Sequence, residues 1–422
     1  MFWLIEAKRQ LNEFNKKGYK EAYIEVIPYS YKTHPAITNV SLVYIRPFEA
    51  TKGYMLTINH SEAMALNNEY IEELISKFDK LYVWDKKEFI HFYWRSNEVI
   101  DLSLAVPNYE KETTKTHRLF NNYKRYKDKL DINRIIPIVK HYEACEKNYN
   151  NLKQYKNEPV NKFYNQSVPL VFKFIEKNGI RVDSQIFEDY FDHNSKDRVY
   201  TQYNLRTTTT RPSNRFGGVN FAALNKENGC RKAFIPDNDR FVEIDISAYH
   251  PSLAAHLVDY KFNTDDIHKS FAEMYGVDYK KSKELTFKQL YGGVFKQYRH
   301  LEYFQKIQKY VDDLWEKFNT DGYVECLISK HRFEKDKLDN MNPQKLFNYL
   351  LQNLETSLNV LMLKHIIKRI IFKKTKLVLY TYDAFLFDLA DDEEYLIKDI
   401  IKIFNRYNCK VKLKYGTNYD FE

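Results

Sequence analysis

The chain has 422 residues, 44% of them hydrophobic, with 35 Tyr and 29 Phe, enough for two or three packed units rather than one. Its net charge of +9 leans toward polyanions such as nucleic acid, and aromatics with a polar tip suit surfaces on which bases stack. Four scattered cysteines without a CxxC pair argue against a zinc site or disulfide framework, and no apolar run has the length of a membrane span.

The start, MFWLIEAKRQ, is too short and too soon charged for a signal peptide; an amphipathic helix is predicted over about 2–17. Alternation predicts strands near 22–28, 39–46 and 53–58, then a helix over 67–78 and a strand at 80–84. This is an α/β pattern. Residues 105–165 are Lys-, Asn- and Tyr-rich with helical periodicity, and read as a solvated bundle or an arm along phosphates.

Past residue 200 come a turn-rich stretch, TTTTRPSNRFGGVNF, with Gly217-Gly218, and then FVEIDISAYHPSLAAHLV, a strand that changes to helical spacing near Pro251. Residues 280–318 are helical with a break at Gly292-Gly293. GYVECLISKHRF is hairpin-like, 344–371 is a long helix, and LVLYTYDAFLFDL is two strands joined at Asp383. A helix over 393–405 and a strand KVKLKYG close the chain, giving an α+β unit with helices on one face.

Asp245 ends one apolar strand and Asp383 lies between two. A carboxylate at the end of a buried strand is costly unless paired or metal-bound, and two on adjacent strands would make an oxygen site for Mg²⁺. Either alone is equally a turn residue. Lys283, Phe287 and Tyr291 recur every fourth residue, so they share a helical face, with Lys280 one turn earlier and Gly292 as terminator. Cations at one end and rings at the other can hold a triphosphate and stack a base; the bland alternative is an ordinary amphipathic helix.

The order and spacing of these segments resemble the polymerase region of family A DNA polymerases, the group of bacterial DNA polymerase I and many phage replicases. The likeness covers roughly 200–422. EIDISAYHPSLAAHL resembles the first palm motif, Asp266-Ile267-His268 the Asp-Ile-His that follows it, and Lys283-x3-Phe287-x3-Tyr291-Gly292 the fingers helix. GYVECLISKHRF resembles the hairpin before the last palm helix. Asn348 and Gln352 keep the family's Asn and Gln, TYDAFLF resembles the last palm motif, and TTTTRPSN with Asn220 resembles the segment that grips the primer end.

The resemblance implies a right-hand polymerase fold: palm 200–260 and 338–422, fingers 261–337, thumb-like helices 105–199. Residues 1–104 would be an RNase H-like 3′–5′ exonuclease-type α/β domain. It implies a template-directed DNA polymerase using two Mg²⁺ ions, or Mn²⁺ in their place. Primer–template DNA and dNTPs would be its partners, with replication accessory proteins. It would act as a cytoplasmic monomer, with no membrane, in a phage or mobile-element replicase role. Asp245 and Asp383 would hold the metals with the Ile246 carbonyl; His268 and Lys283 would meet the triphosphate, Phe287 the sugar, and Tyr291 the nascent pair. Arg211, Asn348 and Gln352 would face the minor groove of the duplex and Tyr382 the primer terminus.

The departures matter as much. His250 stands where the family has the Glu that blocks a ribose 2′-hydroxyl, and is the expected sugar gate. Tyr279 stands where an Arg is expected, leaving Lys280 or Lys281 as a point charge. Ala384 replaces a third carboxylate beside Asp383. In the N-terminal region Ile27 and Phe89 stand at ligand positions of the nuclease, with Glu25 and Asp101 kept, so a nuclease-inactive relic is expected. Two other readings compete. A phage-type single-subunit RNA polymerase favours Met where Phe287 stands and carries a larger N-terminal region; the second is a catalytically inactive polymerase-like primer–template binding protein.

Overall fold

A computed structural model of the chain describes residues 2–94, 98–106, 131–191, 197–214 and 219–421. Gly217-Gly218 and residues 107–130 of the Lys-, Asn- and Tyr-rich segment lie outside these. The chain divides into two compact units, Met1–Lys173 and Phe174–Glu422, a boundary that falls within the stretch 105–199.

In the first unit six strands, β1 (Trp3–Ile5), β2 (Glu21–Pro28), β3 (Val40–Pro47), β4 (Tyr54–Thr57), β5 (Lys80–Val83) and β6 (Glu98–Asp101), form one sheet in the order β1-β4-β3-β2-β5-β6. Successive side chains point to opposite faces, and both faces are covered. Ala22, Ile24, Val43 and Ile45 pack with α1 (Lys8–Asn15), α2 (Asn68–Ser76) and α3 (Lys86–Phe92). Tyr23, Ile27, Leu42 and Tyr44 pack on the other side with Ile138, Cys145, Tyr149 and Leu152 of α4 (Ile138–Leu152). Both faces are buried, so the alternation from which these strands are predicted is only partial: Ala22, Tyr23 and Ile24 are buried in succession. The helix predicted over about 2–17 begins later: Trp3-Leu4-Ile5 pairs in parallel with Tyr54–Leu56, because an apolar, β-prone triplet gains a sheet edge that a helix end would not offer.

The second unit is built on a four-stranded antiparallel sheet. It comprises β7 (Arg240–Ile246), β10 (Lys376–Thr381), β11 (Ala384–Leu389) and β12 (Val411–Gly416), in the order β10-β11-β7-β12. Between β7 and β10 run α5 (Tyr249–Leu257), α6 (Ile267–Tyr275), α7 (Tyr279–Gly292), α8 (Glu302–Asp321), the hairpin β8 (Tyr323–Glu325) and β9 (Arg332–Glu334), and α9 (Pro343–Ile370). A last helix, α10 (Tyr395–Arg406), precedes β12. Apart from α6, which has no counterpart in the sequence reading, these match the elements expected past residue 240.

Alternation on β7 sets the chemistry. Ile244 pairs with Phe385, whose ring meets Phe404 of α10 at 5.1 Å, so this parity faces the helices. The opposite parity carries Phe241, buried with Leu386 and Tyr419, then Glu243 and Asp245. Glu243 and Asp245 therefore emerge toward one end of one face.

Candidate functional site

Asp245 lies directly across from Ala384 on β11 and from Lys412 on β12, so all three side chains share a face. Asp383 lies in the two-residue turn between Thr381 and Ala384, which are paired, and its carbonyl accepts a 2.9 Å hydrogen bond from the Ile246 amide. The two aspartates expected from sequence are thus brought to the ends of neighbouring strands. The other turn residue, Tyr382, has φ of 62°, a conformation that costs a non-glycine residue about 1–2 kcal/mol. Two contacts hold it there. The Asn359 amide donates to its carbonyl at 2.8 Å, and the Arg211 guanidinium lies 3.7 Å from its ring centre. Asn359 is fully buried and also bonds Tyr249 and Tyr380.

The electrostatics of the pair are unfavourable as they stand. Burial, and then the charge of Asp245, push Asp383 up to about 6. Burial and then Glu243 raise Asp245, opposed by Lys414, Lys226 and Lys412. No other residue among those described donates a hydrogen bond to either carboxylate, and none of the described His, Cys, Asp and Glu residues form a group of three or more able to hold a metal. Glu243, one strand pleat from Asp245, is neutralised by Lys414 at 2.9 Å. Asp388, at the far end of β11, accepts from the Asp237 and Asn238 amides and is structural. Ala384 leaves the position between Asp245 and Asp383 without a carboxylate.

Tyr279, Lys283, Phe287 and Tyr291 form one face of α7, as the spacing predicts. Phe287 and Tyr291 stack at 5.9 Å, and the Lys283 ammonium lies 4.8 Å from the Tyr279 ring centre. Phe287 and Tyr291 are 37% exposed, unusual for rings that merely pack a core. Next to them sits His268, buried, with an Nδ1 that has no hydrogen-bond partner. Burial and then the Lys283 charge hold its pKa down to about 4, so the ring is neutral at pH 7. Tyr279, in the expected Arg position, donates to Asp266, the N-cap of α6. Lys281 pairs with Glu284 on the solvent side, and Lys280 is exposed on the same first turn.

Lys412 is a cation that sequence reasoning missed. It is exposed and faces Asp245, and its charge reaches Asp245, Asp266 and His268. Its neighbours on β12 and just before it are paired, Lys414 with Glu243 and Lys410 with Asp265. The signal was present as the alternating lysines of KVKLKYG, but alternation says nothing of which strand lies alongside.

His250 is buried on α5. Its Nδ1 is 2.6 Å from the Tyr291 hydroxyl and its Nε2 bonds the buried carboxylate of Glu355 on α9. The other Glu355 oxygen lies 3.3 Å from Arg211. Glu355, too, escaped the sequence reading. Gln352 accepts from Thr209 at 3.0 Å, Asn353 from the same helix donates to Thr210, and the Asn348 amide donates to the Tyr291 carbonyl. Asn220 is exposed, preceding a single helical turn at Phe221–Ala223.

In the first unit the candidate nuclease carboxylates are occupied. Glu25 accepts from Tyr23, Asn148 and Cys145, and burial raises its pKa. Asp101 accepts from the Lys86 amide and the Ser103 amide and hydroxyl, and Asp85 caps α3.

No family model matches the sequence, and no curated protein does. Solved structures do. The POL domain of Pol1 from M. smegmatis, in complex with DNA primer-template and dNTP, superposes with a TM-score of 0.72 at 13% identity, covering 100% of this chain and 99% of that one. The described α+β architecture is therefore the fold of that polymerase domain.

Proposed function

We propose that the chain is a template-directed DNA polymerase that adds deoxynucleotides to a primer 3′-hydroxyl. The observation that carries this reading is the pair Asp245 and Asp383 at adjacent strand ends, with no salt-bridge partner among the described residues; burial raises the pKa of both, followed by the Asp245 charge at Asp383 and the Glu243 charge at Asp245. The charge of Asp383 reaches Tyr291 on α7, the helix whose one face carries Lys283, Phe287 and Tyr291. Two neighbouring carboxylates, one half-buried and one exposed, with no hydrogen bond from another described residue fit a divalent cation. Two Mg²⁺ ions held there, with the Ile246 carbonyl, would supply charge neutralisation for the attacking and leaving oxygens. The fold shared with a polymerase domain solved with DNA primer-template and dNTP supports the reading.

The chain's own groups then have definite tasks. Lys283 and Lys412 offer ammonium charges to the phosphates, as point charges rather than the planar fork of an Arg. His268, neutral, offers a hydrogen bond from its ring. Phe287 and Tyr291 stack on sugar and base, and His250 beneath Tyr291 limits the space at the sugar. Arg211, braced on Tyr382, addresses the primer end. Asn348 and Gln352 face the duplex, whose minor groove gives a sequence-tolerant pattern of acceptors. In the reaction the 3′ oxygen bonds the α-phosphorus, the bond from that phosphorus to the β-phosphate breaks, and pyrophosphate leaves while the hydroxyl proton passes to water.

We further propose that the first unit does not cleave DNA, since its carboxylates are occupied by the chain's own donors. Primer extension with dNTPs and with rNTPs, with and without Mg²⁺, tests the main reading. Extension by dNTPs alone supports it, rNTP preference would favour an RNA polymerase, and binding without extension would leave a primer–template binding protein.

A further inference from the structure

Glu355 is a carboxylate, 1% exposed, on a helix whose neighbouring buried positions are Leu351, Leu354, Thr356 and Ser357. An unpaired charge there would cost several kcal/mol. It is not unpaired. One oxygen meets Arg211 and the other meets His250. From these two contacts a continuous chain runs outward. On one side His250 reaches Tyr291 of α7 at 2.6 Å; on the other Arg211 lies on Tyr382, 3.7 Å away, in the turn that carries Asp383. The chain therefore joins the ring expected under the new base pair to the residues expected at the primer end.

We propose that Glu355 is a positioning residue that sets the orientation of both His250 and Arg211, and so ties sugar discrimination to the grip on the primer terminus. This rests on the polymerase reading of the same site. Two physical arguments support it. A carboxylate only accepts hydrogen bonds, so it draws the His250 proton to Nε2 and leaves the Nδ1 lone pair for the Tyr291 hydroxyl. The ring is thereby fixed in tautomer and rotation, as a positioned imidazole requires. Arg211, in turn, already acts on the charge of Asp383; an anionic partner at Glu355 keeps the guanidinium off that metal carboxylate and flat on Tyr382. The sequence hides the device because a Glu inside a long helix is ordinarily a solvent-facing residue.

The test is a double-mutant cycle in the full chain. Wild type, Glu355→Ala, Glu355→Gln, His250→Ala and the double variant His250→Ala/Glu355→Ala are compared. The readouts are dNTP-over-rNTP selectivity, KM against kcat for dNTP, and primer–template affinity by fluorescence anisotropy. Glu355→Ala is expected to lose selectivity about as much as His250→Ala, and the double variant no more than either, since contacting residues couple. Primer–template affinity in Glu355→Ala should fall by about tenfold, the range of such couplings, while His250→Ala leaves it unchanged. Glu355→Gln, which keeps an acceptor oxygen and the volume, should recover part of both and serves in place of Ala where that variant does not fold. Additive losses of selectivity, or wild-type selectivity in a folded Glu355 variant, would overturn the proposal alone. No extension by the wild type would overturn the polymerase reading, and this one with it.

Discussion

The two units carry the same sequence signal and put it to opposite ends. Each has acidic residues on or at the ends of buried strands. In the first unit Glu25 and Asp101 are surrounded by the chain's own donors: Tyr23, Asn148 and Cys145 for one, backbone amides and Ser103 for the other. In the second, Asp245 and Asp383 receive no hydrogen bond from another described residue and are relieved only by the charges of Lys414, Lys226, Lys412 and Arg211. A buried carboxylate with donors of its own has part of its burial cost offset. An unsatisfied pair is a cost that the fold retains, and such costs gather where chemistry is done. The difference lies in the partners, not in the acidic residues.

The largest effect expected from this contrast is at the pair. Asp245→Ala and Asp383→Ala should each lower single-turnover extension by at least ~10³-fold, since metal-held charge supplies several kcal/mol to the transition state. Primer–template binding should be retained in an anisotropy titration; activity within about tenfold of wild type would break the comparison. A smaller effect concerns His268, whose folded pKa of about 4 lies below its ordinary value. The fold favours the neutral ring, so its stability is full above about pH 6.5 and is lost as pH falls toward about 4. Urea unfolding at pH 7 and pH 4.5 should show a loss on the order of 2 kcal/mol that His268→Gln diminishes, after discounting for solvent screening.

Asp101→Ala should leave extension intact while costing ~1–2 kcal/mol of stability, the worth of a lost cap, read as a shift in melting temperature. Loss of extension there would mean that the first unit contributes to the reaction. Lys412→Ala should raise the KM for dNTP by about tenfold with kcat little changed, as removal of one charge-assisted contact would; an unchanged KM removes Lys412 from the phosphate site. The smallest effect is none at all: Glu25→Gln should not alter single-turnover digestion of a mismatched primer in an Asp245→Ala background, because digestion is expected to be at background already. Measurable, Mg²⁺-dependent cleavage abolished by Glu25→Gln would overturn the assignment of the first unit.

Much of this was legible without coordinates. Period-two alternation placed β2 to β5, and the i, i+4 recurrence of Lys283, Phe287 and Tyr291 placed them on one face of α7, since local periodicity is set by backbone geometry alone. It failed at Trp3–Ile5, where pairing with β4 outweighed helical periodicity. Four residues at the site were not legible: Lys412, Glu355, Asn359 and Glu243. Lys412 looked like one surface lysine among several, and its meaning depends on which strand lies against β7. Glu355 looked like a helix surface residue, and its meaning depends on Arg211 and His250, 144 and 105 residues away.

The sequence by itself determined the segments, their order and the two aspartates worth examining, because hydrophobic period and turn residues act over a few neighbours. Only the tertiary structure decided which carboxylates are satisfied and which are not. Hydrogen bonding and charge act through space over a few ångströms, and nothing in the chain order states that Glu25 meets Asn148 while Asp383 lies among the charges of Asp245, Glu355 and Arg211.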